Sequence, residues 1–255
     1  MTRNPDGARF ASGVEIRKGD LTVPESLDSC LDGIEKVFLV WIAPRRAIAP
    51  ALERITRRAR HIVFLSAPLK TPHPLFQQPN AARVVAEEIE QRIGQSGVEW
   101  TFLRPGMLAV NALSWWAPQI REGDVVRWPC LSTPTAPVHE RDIAAVAVRV
   151  LCDKGHAGSE YVLTGPESLT QAEQIARIGK VIGRRLQAHE ISRAEAEVEL
   201  LRVIAVPPVV KMLLDAWEAA EGQPAYVTDT VERLTGKPAR TFHDWAVDHA
   251  AAFVA

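Results

Sequence analysis

The stretch Val37-Phe38-Leu39-Val40-Trp41 decides the fold class of this chain. Its five apolar residues run without interruption between the turn residues Asp32-Gly33 and Pro44. An unbroken apolar run of this length, bounded by turn residues, is typical of a strand buried on both faces of a sheet. We therefore expect Val37–Trp41 to form the central strand of a parallel sheet.

Two further apolar runs, His61–Leu65 and Trp100–Leu103, follow at intervals that leave room for helices. Helical periodicity predicts helices over Ala47–Arg60 and Asn80–Ser96. Their inward faces are expected to carry Ile48, Ala51, Leu52, Ile55 and Ala59 in the first helix and Val84, Val85, Ile89 and Ile93 in the second. Alternating strands and helices predict an α/β fold with a doubly wound, mostly parallel sheet.

Residues 151–255 predict one further strand and then a smaller, mainly helical lobe, with helices near 193–204, 207–221, 225–234 and 241–253. Thr170 with Glu173 fits a capping box, and Thr241 with Asp244 has the same spacing. We expect residues 1–150 and 151–255 to interleave and to behave in effect as one domain.

The composition excludes several classes of protein. Hydrophobic residues make up 47% and charged residues 24% of the 255 residues, and the formal net charge is −1, which favours neither nucleic acid nor a membrane surface as partner. Neither a membrane-spanning run nor a secretion signal is recognisable, so we expect a cytoplasmic protein. Cys30, Cys130 and Cys152 are scattered and odd in number, as expected for free thiols. The histidines and aspartates near the C-terminus are too poorly spaced for a metal pair, so no metal is expected.

The order of the segments resembles the NmrA-like branch of the atypical short-chain dehydrogenases/reductases. The residues that carry the resemblance are Thr2–Pro5, Gly19–Leu21, Phe38–Trp41, Phe64–Ala67, Ser96–Gly106 with Asn111, Val138–Ala144 and Tyr161–Glu167. The resemblance covers nearly the whole chain, and it implies a Rossmann-like fold with a helical substrate lobe.

The resemblance also implies a dinucleotide site at the carboxyl ends of the strands. It assigns cofactor binding to Arg3, Asp20, Leu21, Trp41, Ser66, Ala67, Pro105 and Gly106. Arg3 takes the position that meets the adenosine 2′-phosphate, and a guanidinium suits phosphate, which favours NADP over NAD. Met107 and Asn111 are implied to bind a small-molecule substrate, and the family allows a homodimer. Trp115 is a third candidate for substrate binding, and the wall of the pocket or the core is the alternative for it.

The sequence departs from this family at its start. The first strand and the G-x-x-G-x-x-G turn, which holds the pyrophosphate, have no counterpart, as in an N-terminal truncation. The dinucleotide therefore loses its main anchor, and a chain that binds no cofactor stays an alternative. Val37–Trp41 would also lack a neighbour. Three outcomes stay open: a start upstream of Met1, a second chain on this edge, or Val14–Lys18 beside it. For the 255 residues we expect Val14–Lys18 to pair with Val37–Trp41 directly.

The second departure concerns catalysis. The only tyrosines, Tyr161 and Tyr226, are not followed by lysine four places on, so the Tyr-x-x-x-Lys pair of the classical members is absent. Lys70 and His73, in the loop after the second strand, are the candidates for proton transfer. The favoured function is NAD(P)H-dependent reduction of a quinone, carbonyl or olefin. A cofactor-independent cyclase or isomerase and a redox-sensing, non-enzymatic regulator remain open.

Overall fold

The computed structural model describes residues 1–9, 12–79 and 81–254. It divides into two compact units. The first unit comprises Met1–Ser66, Val84–Leu103 and Val150–Glu160. The second unit comprises Ala67–Arg83, Arg104–Arg149 and Tyr161–Ala255.

The elements alternate between strand and helix over the first half of the chain, as predicted. They are a 3-10 helix Pro24–Ser26, α1 Leu27–Cys30, β1 Lys36–Val40, a 3-10 helix Arg45–Ala47, α2 Ile48–Arg58, β2 His61–Leu65, α3 Pro74–Gln77, α4 Ala81–Gln95, β3 Glu99–Pro105, α5 Asn111–Trp115, α6 Ala117–Glu122, β4 Val125–Trp128 and β5 Pro134–Thr135. The second half is mainly helical. It contains α7 Glu140–Cys152, β6 Ser159–Leu163, β7 Leu169–Thr170, α8 Gln171–Val181, β8 Gln187–Glu190, α9 Arg193–Ile204, α10 Pro207–Ala219, α11 Thr230–Thr235, α12 Phe242–Asp248 and a 3-10 helix Ala250–Phe253.

A four-stranded sheet in the order β1-β2-β3-β6 confirms the α/β fold class. β1 and β2 are parallel, with Val40 opposite Leu65, and β2 and β3 are parallel, with Leu65 opposite Leu103. β2 is buried as predicted, since Ile62 and Val63 are inaccessible to solvent. The central position predicted for Val37–Trp41 is wrong, because β1 is an edge strand among the described residues.

The pairing predicted between Val14–Lys18 and Val37–Trp41 is also wrong. Val14–Lys18 forms no strand, and its end bridges to Thr2 in parallel instead. The Thr2 amide donates to the Arg17 carbonyl over 2.9 Å, and the Gly19 amide donates to the Thr2 carbonyl over 3.0 Å. The Arg17 guanidinium donates to the Ser29 carbonyl over 2.7 Å, which holds the segment beside α1. The end of this segment therefore pairs with Thr2 and not with β1.

The helices of the first unit bury most of the residues that their periodicity predicted. The five residues predicted for the first helix, four on α2 and its C-cap Ala59, are at most 5% exposed. On α4, Ile89 and Ile93 are fully buried and Val85 is half-buried, but Val84 is 44% exposed, so its predicted inward position is wrong. Asn80, the predicted first residue of this helix, lies outside the described residues. Ala86 is the residue that α4 buries near its start.

The second unit has a large apolar core rich in tryptophan. Four indole rings, those of Trp115, Trp116, Trp128 and Trp217, form five neighbouring pairs with centroids 5.5–6.2 Å apart. The predicted capping box at Thr170 and Glu173 begins α8, and Thr241 with Asp244 begins α12 in the same way. A third capping box, at Ser192 and Glu195, begins α9. Each satisfies backbone amides that a helix start leaves without partners.

Candidate functional site

The carboxyl ends of β1 and β2 form the sheet edge at which the dinucleotide site was predicted. Because the two strands are parallel and in register, Trp41 and Ser66 follow them at the same edge. Trp41 is half-buried, and its indole nitrogen donates to the Ala43 carbonyl over 2.7 Å. The Ser66 amide donates to the Leu103 carbonyl over 2.7 Å, which ties it to β3. Open parallel sheets bind ligands outside this edge.

A buried carboxylate faces the end of β2 from α4. The Ser66 hydroxyl donates to Glu90 Oε1 over 2.6 Å, and Glu90 is only 8% exposed. Glu90 was not among the residues predicted for the site. A signal was present in the sequence, because Glu90 follows Ala86 by one helical turn and adjoins Ile89 on the inward face of α4. An acidic residue on such a face needs hydrogen-bond partners, since burying an unpaired charge is costly.

Arg3 and Asp20, predicted for the adenosine end, come together in the first unit. The parallel bridge between Thr2 and Lys18 precedes both residues and brings their segments alongside each other. Asp20 accepts hydrogen bonds of 2.8 Å from the Thr22 amide and the Thr22 hydroxyl. These bonds, helped by the charge of Arg3, hold the pKa of Asp20 below its ordinary value. Leu21 is buried beside them at 7% exposure.

The second unit holds the predicted segment Pro105–Met107. The Gly106 amide donates to the Leu163 carbonyl over 2.9 Å, and Pro105 is buried. A Cβ atom at Gly106 would lie 3.3 Å from Cζ of Phe76, so glycine keeps this backbone close to the ring. Ala67, which begins this unit, is half-buried.

Of the three predicted substrate residues, Asn111 and Met107 contact each other, whereas Trp115 is buried in the tryptophan core. The Asn111 side-chain amide donates to Met107 Sδ over 3.5 Å, and both residues are half-buried. Trp115 is 8% exposed and packs in the tryptophan core, with its ring centroid 5.5 Å from that of Trp217. Its contacts are those of a core residue.

The two candidates for proton transfer differ in accessibility. Lys70 is exposed, whereas His73 is 7% exposed and begins α3. His73 Nδ1 accepts from the Leu75 amide over 3.3 Å, and Nε2 lies 3.0 Å from the Pro224 carbonyl. Both ring nitrogens of His73 therefore have partners within the protein, and Nδ1 caps the start of α3.

No group of histidines, cysteines and carboxylates in the described part of the chain could hold a metal ion. None of the described helices is both long enough and apolar enough to cross a membrane.

Comparison with known proteins gives a consistent result. A family described as NAD(P)H-binding matches residues 1–154. Over 99% of the chain and 89% of the relative, the sequence is 38% identical to a (4-alkanoyl-5-oxo-2,5-dihydrofuran-3-yl)methyl phosphate reductase from Streptomyces griseus. It is also 34% identical to an NAD(P)H azoreductase from Xenophilus azovorans, over 95% of the chain and 85% of the relative.

Among solved structures, an NADPH-dependent quinone oxidoreductase from Escherichia coli in complex with NADPH superposes with a TM-score of 0.76. The match covers 92% of this chain and 83% of that one at 24% sequence identity, so it bears on the fold alone. The shared fold is the Rossmann-like sheet with flanking helices.

Proposed function

The chain belongs to the NAD(P)H-binding family, and from this premise we propose that it is a reductase of electron-poor, conjugated small molecules that prefers NADPH. The coarser statement, an NAD(P)H-binding oxidoreductase of small molecules, follows from the family and from the reductases to which the chain is similar. The substrate class and the preference for NADPH are the proposed part.

The observation that carries the proposed substrate class is the near full-length similarity to two named reductases. An acyl-substituted unsaturated lactone and an azo compound look unlike each other, but both present a conjugated double bond with low electron density. Each accepts a hydride and then holds the resulting negative charge on oxygen or nitrogen. A quinone, the substrate type in the name of the solved structure's protein, has the same property.

This chemistry is compatible with the missing Tyr-x-x-x-Lys pair. A simple ketone needs a strong general acid to protonate the oxygen as hydride arrives. A delocalised anion is a weaker base and takes its proton from water after the hydride has been transferred. The reaction thus consumes one hydride and one proton. Neither Tyr161 nor Tyr226 has the lysine that acid catalysis in the classical members requires.

Residues of the first unit fit two ends of a dinucleotide. At one end, the exposed Arg3 guanidinium suits a 2′-phosphate and the Asp20 carboxylate suits hydroxyl or amine donors. At the other end, Trp41 and Ser66 follow the strands at the edge where such ligands bind. When bound, NAD(P)H supplies the hydride. The protein holds the two ends and orients the ring.

Steady-state assays with NADPH and NADH test the proposal. The three acceptors are menadione, methyl red and an α-acyl unsaturated lactone, and the readout is the loss of NAD(P)H absorbance. We expect turnover of these acceptors and none of a simple aliphatic ketone. Arg3→Ala should raise the KM for NADPH roughly tenfold, because it removes a charge-assisted hydrogen bond, and leave the KM for NADH unchanged.

Arg9→Ala is the matched control, because it removes an exposed guanidinium from the same segment. Its kinetic constants should equal those of the unaltered protein. Failure of all three acceptors to oxidise NADPH would overturn the substrate class. Equal effects of Arg3→Ala on NADPH and NADH would overturn the role of Arg3.

The relatives do not favour the two other functions considered from the sequence, a cofactor-independent cyclase or isomerase and a non-enzymatic regulator. A cytoplasmic location stays part of the proposal, and fractionation of cells that express the tagged protein tests it.

A further inference from the structure

The pair formed by Ser66 and Glu90 places a carboxylate on an otherwise apolar helix face. Glu90 lies on the buried face of α4, where its neighbours Ala86, Ile89 and Ile93 are all apolar. An apolar side chain at this position would complete the face without the cost of burying a carboxylate. The carboxylate instead accepts the Ser66 hydroxyl over 2.6 Å.

This bond fixes what Ser66 can offer to a ligand. A free serine hydroxyl rotates and can either donate or accept. Here its one proton points at a carboxylate, in a charge-assisted bond stronger than one between neutral groups. The Ser66 amide is already bonded to the Leu103 carbonyl. What remains at the end of β2 is a hydroxyl oxygen with its lone pairs, which can only accept.

We propose that Glu90 is a positioning residue that fixes Ser66 as a hydrogen-bond acceptor for an N–H or O–H group on the nicotinamide half of the dinucleotide. The inference rests on the proposed function, because it takes NAD(P)H as the ligand at the carboxyl end of β2. Two groups of that half carry the required chemistry: the carboxamide N–H of the nicotinamide and the hydroxyls of its ribose. Either group can donate to the Ser66 hydroxyl oxygen, and the titrations distinguish which of the two does.

Four variants test the pair by fluorescence titration with NADPH. Removing the acceptor in Ser66→Ala should raise the Kd for NADPH by roughly threefold to tenfold, the effect of one lost hydrogen bond. Glu90→Ala frees the hydroxyl to rotate and should raise the Kd by a similar factor. Glu90→Gln keeps an oxygen that accepts from Ser66, so the Kd should change less than about twofold. The double variant Ser66→Ala with Glu90→Ala should be no worse than Ser66→Ala, because both changes remove one function.

Repeating the titrations with the 3-acetylpyridine analogue of NADP identifies the donor. This analogue lacks the carboxamide N–H but keeps both ribose hydroxyls. An effect of Ser66→Ala that disappears with the analogue assigns the carboxamide, and an effect that persists assigns the ribose; either result supports the proposal. Glu88→Gln is the matched control, because Glu88 is a carboxylate of the same helix that pairs with Arg45 and Arg92. Its Kd should match that of the unaltered protein.

Two outcomes overturn the inference. In the first, Glu90→Ala lowers the unfolding midpoint but leaves the Kd for NADPH unchanged, as for a purely structural residue. In the second, the losses of the two single variants add in the double variant, as for independent residues. If the unaltered protein does not bind NADPH at all, the proposed function fails rather than this inference.

Discussion

The edge strand of the first unit and the tryptophan core of the second are both strongly apolar in sequence, yet they lie in opposite environments. On β1, Phe38 is 39% exposed and Val40 is 44% exposed, and Ile42 just beyond it is 78% exposed. In the core, Trp116 and Trp217 are 1% and 0% exposed. An apolar run therefore determines which element a segment forms, whereas burial depends on the neighbours that other segments supply.

The contrast is greatest for large side chains and should be measurable as a difference in stability. Replacing Trp217 by alanine removes a ring that contacts Trp115 and Trp128, with centroids 5.5 and 5.6 Å away. We expect the free energy of unfolding to fall by about 3–5 kcal/mol, the usual cost of a cavity of this size. Urea denaturation followed by circular dichroism provides the measurement. A loss below about 1 kcal/mol would show that this core is loosely packed and would remove the contrast with β1.

Much of the fold could be predicted because the deciding signals are local. The runs at β2 and β3, the apolar faces of α2 and the capping box at Thr170 depend only on residues close in sequence. The same holds for the C-terminal helices, although α11 begins at Thr230, five residues after the predicted start near 225. The start of a helix is hard to predict from sequence when no side chain caps it. Asp229 takes the N-cap position of α11, but its side chain makes no capping hydrogen bond.

Two of the errors concern neighbours that lie far apart in sequence. Val37–Trp41 has the composition of a central strand, but nothing within it reveals that the described residues place no strand beside one of its edges. Val14–Lys18 alternates like a strand, but its end pairs with Thr2 instead. The partner of the His73 ring is equally remote, because nothing near residue 73 indicates its contact with Pro224. Of the candidate site, the strand ends could be predicted and the partner of Ser66 could not.

A second test asks whether the second unit also depends on its helix caps. In Thr241→Ala, α12 loses the hydroxyl that accepts the Asp244 amide over 3.1 Å and donates to the Asp244 carboxylate over 2.7 Å. We expect a loss of about 1 kcal/mol in the free energy of unfolding. Thr241→Ser keeps the hydroxyl and is the matched control.

This cap should also make the stability loss in Thr241→Ala depend on pH. Hydrogen bonds from the Thr241 side chain and then its backbone hold the pKa of Asp244 below its ordinary value. A lowered carboxyl pKa stabilises the fold at pH values above the unfolded pKa of about 4, and that contribution disappears as the pH falls through the folded pKa. The difference between Thr241→Ala and the unaltered protein should therefore shrink below about pH 4. A difference that stays constant down to about pH 2 would contradict this reading of the cap.

The smallest effect is expected on β1 itself, at Phe38. Threonine suits a strand as well as phenylalanine does, and the ring of Phe38 is already partly in water, so Phe38→Thr should cost less than about 1 kcal/mol. The replacement should also lower the binding of the dye ANS, which reports exposed apolar surface. Phe64→Thr, on the neighbouring strand and 2% exposed, is the matched control and should be far more destabilising. If the two variants proved equally unstable, Phe38 would be as well covered as Phe64 in solution, and the contrast between β1 and the buried strand would disappear.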